Sequence, residues 1–223
     1  MVNILLAGDA AVTFEFGDAI SPDLSERVIR AADALGAEAA PGVIEIVPTF
    51  RSFTVYFDPA VTCAYELADI VRRIGDTPSP ARQARRLWSI PACYDAAVAP
   101  GVIVEDNSMA AAHHGRRYHV YMLGFLPGQP YLGNVDPAIR RPRLRQTRPV
   151  PAGSIGVAME MTTIYPRPTP CGWTIVARTP SIFWNADEPL FANGDLAEFV
   201  AIDTNAFHKL EAKPAPPSLR LID

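Results

Sequence analysis

The stretch that most limits how this chain can fold is Tyr118-His-Val-Tyr-Met-Leu-Gly-Phe-Leu-Pro-Gly-Gln-Pro-Tyr-Leu-Gly133. A β-prone run from Tyr118 to Leu123 breaks at Gly124, then at Pro127-Gly128, then at Pro130, and again at Gly133. Phe125, Leu126, Tyr131 and Leu132 lie between the breaks. Each proline fixes its own φ and restricts the residue before it, while glycine admits conformations other residues avoid. A solvated loop has no use for four large apolar residues among five breakers. This one folds over the domain's own core or over a ligand.

Composition sets the outer bounds. The chain has 223 residues, 49% of them apolar, which suffices for one large or two modest domains. No apolar run approaches the roughly 18 residues that span a bilayer, and the N-terminal residues lack the basic and apolar regions of a signal peptide. Three widely spaced cysteines, Cys63, Cys93 and Cys171, argue for a reducing compartment rather than a disulfide framework, and the expected location is the cytoplasm. A net charge of −4 gives no electrostatic reason to bind nucleic acid. Most of the 22 prolines follow position 76, so the two halves are expected to differ in kind.

Residues 1–80 read as an α+β domain. Short strands are expected at 3–6 and 12–16, then a helix capped by Ser21 with Pro22 at its first position and Leu24, Val28, Ala31, Ala32 and Leu35 at helical spacing. Strands at 43–47 and 52–57 follow, then a second helix from Thr62 to Gly75. Helices alternating with strand pairs predict a split βαβ, ferredoxin-like layer. Asp76-Thr-Pro-Ser-Pro-Ala-Arg-Gln-Ala-Arg85 is the expected linker. Residues 86–208 then show short strands (118–123, 154–158, 173–178, 196–202) between Pro/Gly turns and a weak helix near 107–113. That pattern predicts a closed or folded-over all-β domain. Lys213-Pro-Ala-Pro-Pro217 marks 209–223 as a frayed tail.

The chemistry-bearing residues read as follows. Arg140, Arg141, Arg143, Arg145 and Arg148 form a row among prolines, able to aim a fork at a carboxylate or carbonyl. His113, His114 and His119 lack the spacing of a zinc site, so no metal is expected. Gly153-Ser154 follows a proline turn and could form a backbone anion nest. No Walker-type Gly-Lys-Ser/Thr motif occurs, so no nucleotide cofactor is expected on this chain. Cys171 reads as a small buried hydrophobe rather than a nucleophile. Tyr131, Tyr165 and Trp173, flanked by Pro and Gly, are candidates for a pocket wall.

The opening stretch, followed in order by Pro142-Arg-Leu144, Val150-Pro-Ala-Gly-Ser-Ile-Gly156, Ile164-Tyr-Pro166, Gly172-Trp173 and Arg178-Thr-Pro180, resembles the KipI / PxpB family of 5-oxoprolinase components, also called allophanate hydrolase subunit 1. Pro48-Thr-Phe-Arg-Ser52 and Val55-Tyr-Phe-Asp-Pro59 match it too, so the resemblance covers nearly the whole chain. It implies a ferredoxin-like domain followed by a cyclophilin-like β-barrel. It also implies a subunit of an ATP-dependent complex that opens 5-oxo-L-proline or a related amide, with a KipA-like partner (allophanate hydrolase subunit 2) and a lactam-hydrolase-like third subunit. ATP would be used by the complex, not bound by this chain alone. The alternatives it carries are inhibition of a sensor histidine kinase by binding, and a urea-carboxylase-type carboxyltransferase component. On these matches the catalytic candidates are His113 and Arg143. The substrate-binding candidates are Tyr121, Phe125, Pro127, Gly128, Tyr131, Gly153, Ser154, Tyr165 and Arg178. The chain departs from the family pattern at Gln129, at Met159-Glu-Met-Thr-Thr163, where a Gly-rich run is usual, and at Asn193-Gly-Asp195.

Overall fold

The computed structural model describes residues 2–75, 84–100, 102, 107–185 and 188–222. It divides into two compact units, residues 1–82 and 83–223. Most of the expected linker (76–83) lies outside the described residues.

The first unit runs β1 (Asn3–Leu6), β2 (Ala11–Glu15), α1 (Pro22–Ala37), β3 (Val43–Pro48), β4 (Ser52–Phe57) and α2 (Ala64–Gly75). Its helices start where the local chemistry says they should. Ser21 accepts the Leu24 N–H at the start of α1, and the Glu66 carboxylate reaches back to the Cys63 N–H before α2. The sheet has the order β1-β2-β4-β3, with each neighbouring pair antiparallel. β2 and β3 therefore run the same way with β4 between them, and α1 joins them: a split βαβ. Period-two alternation puts Val12, Phe14, Phe53, Val55 and Phe57 on one face, where they pack with Val28, Leu35, Leu67 and Val71 of the helices.

The second unit contains β5 (Arg85–Ala92), α3 (Asn107–His114), β6 (Arg117–Leu123), β7 (Pro130–Gly133), a 3-10 turn (Pro137–Ile139), β8 (Arg148–Val150), β9 (Ser154–Ala158), β10 (Met161–Ile164), β11 (Thr169–Cys171), β12 (Thr174–Arg178), β13 (Trp184–Asn185), β14 (Glu188–Pro189), β15 (Leu196–Ala201), α4 (Thr204–Glu211) and β16 (Ser218–Ile222). Eight of these strands form one sheet in the order β12-β9-β10-β7-β6-β15-β5-β16. Just beyond β5, Cys93 exchanges backbone hydrogen bonds of 2.8 and 2.9 Å with Arg178 of β12. That bridge brings the β12 end of the sheet back to the chain leaving β5, so seven strands enclose a core. Trp88, Ile90, Tyr118, Val120, Leu132, Ile155, Ile164 and Phe199 fill it.

Two local expectations are corrected. Residues 209–223 are not a frayed tail, because α4 extends to Glu211 and β16 pairs antiparallel with β5 from Ser218↔Ser89 to Ile222↔Arg85. Pro130–Gly133 is a strand rather than part of a loop, because Pro130 stands at its first position. Met161–Ile164, which overlaps the departure from the Gly-rich family run, is a buried central strand between β9 and β7.

Candidate functional site

The two faces of the β6-β7-β10-β9 sheet hold His113 on one side and Tyr131, Tyr165 and Arg143 on the other, and they hold them differently. His113 lies at the end of α3, inside the barrel, with no exposed surface. Thr162 donates to the Gly156 carbonyl (3.1 Å), so its oxygen is left to accept from His113 Nε2 (3.0 Å). Nδ1 must then accept from the Tyr94 hydroxyl (2.8 Å). Both ring nitrogens are satisfied in one neutral tautomer, and the ring lies 4.5 Å from that of Phe199. Burial, with the neighbouring His114 charge, lowers its pKa to about 3. His113 is a neutral core side chain without a face open to substrate. The sequence expectation of an acid or base at this position finds His113 buried and bonded at both nitrogens in this chain.

The outer face is less complete. Tyr131, Thr163 and Gly156 stand side by side across β7, β10 and β9, alternating with the core residues Leu132 and Ile164. Two glycines let aromatic rings lie directly on the strands. A Cβ on Gly133 would sit 2.2 Å from Tyr121 Cε2, and one on Gly156 would sit 3.1 Å from Trp173 Cβ and 3.3 Å from Tyr165 Cε2. The Tyr131 and Trp173 rings meet edge to face at 5.8 Å. Cys171, 1% exposed, donates its S–H to Tyr165 Oη at 3.2 Å and accepts from the Trp173 N–H at 3.2 Å. It fills a structural role, as its sequence context suggested.

Arg143 stands at this face on an extended segment tied at two points. The Leu144 N–H bonds the Gly172 carbonyl (2.7 Å), and the Met159 N–H bonds the Arg141 carbonyl (2.6 Å). Glu160, in the same β9–β10 turn, pairs with Arg140. Arg143 itself is exposed, and among the described residues it has no carboxylate or hydrogen-bond partner. Its charge is felt by both phenols. Burial raises the pKa of Tyr131, and Arg143 opposes that rise. Tyr165 is raised further by burial, the Cys171 bond and the nearby Tyr131, again opposed by Arg143. Both phenols thus remain O–H donors at neutral pH. An unpaired guanidinium beside two protonated phenols suits a carbonyl or carboxylate oxygen.

The remaining candidates are dispersed. Tyr121 is buried over Gly133, with its pKa raised to about 12 by burial and by Glu160. Phe125 projects from the β6–β7 loop, 68% exposed, at φ +71. Gly128 (φ +76) packs under Trp184. Pro127, Gly153 and Arg178 line a separate cleft of about 390 Å³ with Arg167, Trp184 and Glu211. Arg178 is engaged there by the Ala152 carbonyl (2.9 Å), Glu211 (3.0 Å) and the Phe207 ring. The anion nest at Gly153-Ser154 is not formed. The Gly153 N–H donates to the Tyr165 carbonyl and the Ser154 N–H to that of Pro151, so neither is left for an anion. Gln129 stands out in the sequence only as a departure from the family pattern. In the structure it is 1% exposed and donates from Nε2 to Thr163 Oγ1 (3.0 Å) on this same outer face.

Residues 2–192 match the model of the carboxyltransferase domain, subdomain C and D. The chain is 32% identical to the B-subunit of 5-oxoprolinase from Bacillus subtilis (strain 168) over 223 residues, covering 90% of this chain and 93% of that protein. The chain belongs to this carboxyltransferase-domain family, among the PxpB (KipI) proteins. The crystal structure of TTHA0988 superposes with a TM-score of 0.76 at 27% identity over 87% of this chain, which spans only 40% of that one. The Kluyveromyces lactis urea carboxylase superposes with a TM-score of 0.80 at 16% identity, over 99% of this chain and 24% of that one. The mixed α/β fold is therefore that of carboxyltransferase-like proteins. No helix among the described residues is long and apolar enough to cross a membrane.

Proposed function

We propose that the chain is the substrate-orienting subunit of a 5-oxoprolinase-type complex that opens 5-oxo-L-proline, or a related small amide, at the expense of ATP. The observation that carries this reading is Arg143, exposed and without a partner among the described residues, close enough to the protonated Tyr131 and Tyr165 to act on both, which we read as a cradle for a carboxylate or carbonyl oxygen. The name of the B. subtilis relative supports the reaction class. With His113 closed inside the barrel and Cys171 committed to Tyr165, the cradle orients a substrate but offers no nucleophile. The bond-breaking groups and the ATP site then belong to a second, KipA-like subunit and a lactam-hydrolase-like third, and the assembly works in the cytoplasm. That TTHA0988 carries this fold within a chain more than twice as long is in keeping with a unit that works joined to others. The split βαβ layer and the bridged seven-strand enclosure support the ferredoxin-like and cyclophilin-like descriptions of the two units.

The test is co-purification of the tagged chain from its own cells, followed by an ATP-dependent 5-oxo-L-proline assay on the eluate. A second subunit with turnover supports the proposal. An eluate holding a histidine kinase and no turnover contradicts it and favours inhibition by binding.

A further inference from the structure

The side chain of Gln129 is closed to solvent, yet only one end of it is satisfied. Nε2 donates to Thr163 Oγ1, and the Thr163 hydroxyl in turn donates to the Pro130 carbonyl at 2.8 Å. Oε1 has no partner. Exchanging the oxygen and nitrogen does not cure this. Thr163 would then donate to the oxygen, and the NH2 would be the end left alone. Buried polar groups in folded proteins are nearly always paired, and an unpaired one calls for a specific reason. Its position supplies one. Thr163 pairs with Tyr131 across β10 and β7 and so shares its outward face, and the bond from Gln129 Nε2 to Thr163 Oγ1 sets the Gln129 side chain on that face too. The unmet acceptor therefore belongs to the face that carries Arg143, Tyr131 and Tyr165.

We infer that Gln129 is the specificity-determining residue of this face, its Oε1 accepting the N–H of a bound small amide whose oxygens are held by Arg143 and the two phenols. This rests on the proposed function and adds the residue that distinguishes an N–H from a substituted nitrogen. The contact forms as the ligand displaces the side chains that cover Gln129. In such a dry setting an N–H gains a hydrogen bond that a substituted nitrogen cannot make, so discrimination is strong.

The probes are 5-oxo-L-proline and its N-methyl counterpart, bound to the purified complex and measured by calorimetry. The wild-type complex prefers the N–H form by about tenfold or more. Gln129→Met, which keeps the volume and removes both polar ends, brings the ratio close to one. Gln129→Phe serves as a second apolar variant should the first assemble poorly. A merely structural role for Gln129 would shift both affinities together and leave the ratio unchanged. That outcome, with Arg143→Ala still weakening both ligands, would overturn the inference while sparing the site, and would assign Oε1 to a buried water. If neither probe binds the wild-type complex, the inference and the proposed function fall together.

Discussion

The inner and outer faces of one sheet in the second unit are finished to different degrees. Inside, the polar chain from Tyr94 through His113 and Thr162 to the Gly156 carbonyl closes on itself, each hydrogen bond passing to an acceptor. Outside, Arg143 is exposed without a partner among the described residues and Gln129 keeps an unmet acceptor, although Tyr131 and Thr163 on the same face stand on ordered strands. A histidine and an arginine that look equally catalytic in sequence are thereby separated. The first is spent on the fold, and the second stays exposed, where the proposed function gives it a substrate to hold.

The largest effect comes from breaking the inner face. His113→Ala removes a buried ring and leaves the Tyr94 hydroxyl without its acceptor, so a loss of about 3–4 kcal/mol is expected in urea unfolding. A loss below about 1 kcal/mol would show that the inner network matters less than its geometry implies. The same residue gives a pH signature. Its folded pKa, about 3, lies below the unfolded value near 6.5, so between those limits the unfolded chain binds the extra proton. Stability is fully present above about pH 6.5 and falls as pH drops toward 3, with a slope on the order of 1 kcal/mol per pH unit. His113→Gln should flatten the pH 5.5–6.5 part of that profile, where few carboxylates titrate. An unchanged slope would mean that the imidazole is not held neutral.

The outer face is sharpened by a smaller change of opposite sign. Met159 sits at φ +53 in the β9–β10 turn, 61% exposed, in a conformation that costs a non-glycine residue about 1 kcal/mol. Met159→Gly relieves that strain but loosens the unfolded chain, so a net gain of at most about 1 kcal/mol is expected in thermal unfolding. A net loss would indicate that the side chain packs more than its exposure suggests.

What can be read in advance follows the range of the forces involved. The helix beginning at Pro22 is legible because Ser21, Pro22 and the apolar spacing are all local. The final strand is not, because Lys213-Pro-Ala-Pro-Pro217 suppresses periodicity and its pairing partner β5 lies about 130 residues earlier. β10 is missing from the strands expected from sequence because it is covered on both faces, which erases the alternation that marks a half-buried strand. For the site, residue type points to Arg143, and its flanking Pro142 and Leu144 carry the family resemblance. Its proximity to Tyr131 and Tyr165 requires the β7–β10 register and the tie from Leu144 to Gly172. Burial of His113 is invisible for the same reason: its partners Tyr94 and Thr162 are 19 and 49 residues away.

The most direct test is the effect of Arg143→Ala on ATP-dependent 5-oxo-L-proline opening by the assembled complex, with assembly and unfolding followed in parallel. The outer-face account predicts a fall of about tenfold or more in kcat/KM with unchanged assembly, and a stability change within about 0.5 kcal/mol, as expected for an exposed, unpaired side chain. Undiminished turnover with an intact complex would contradict it.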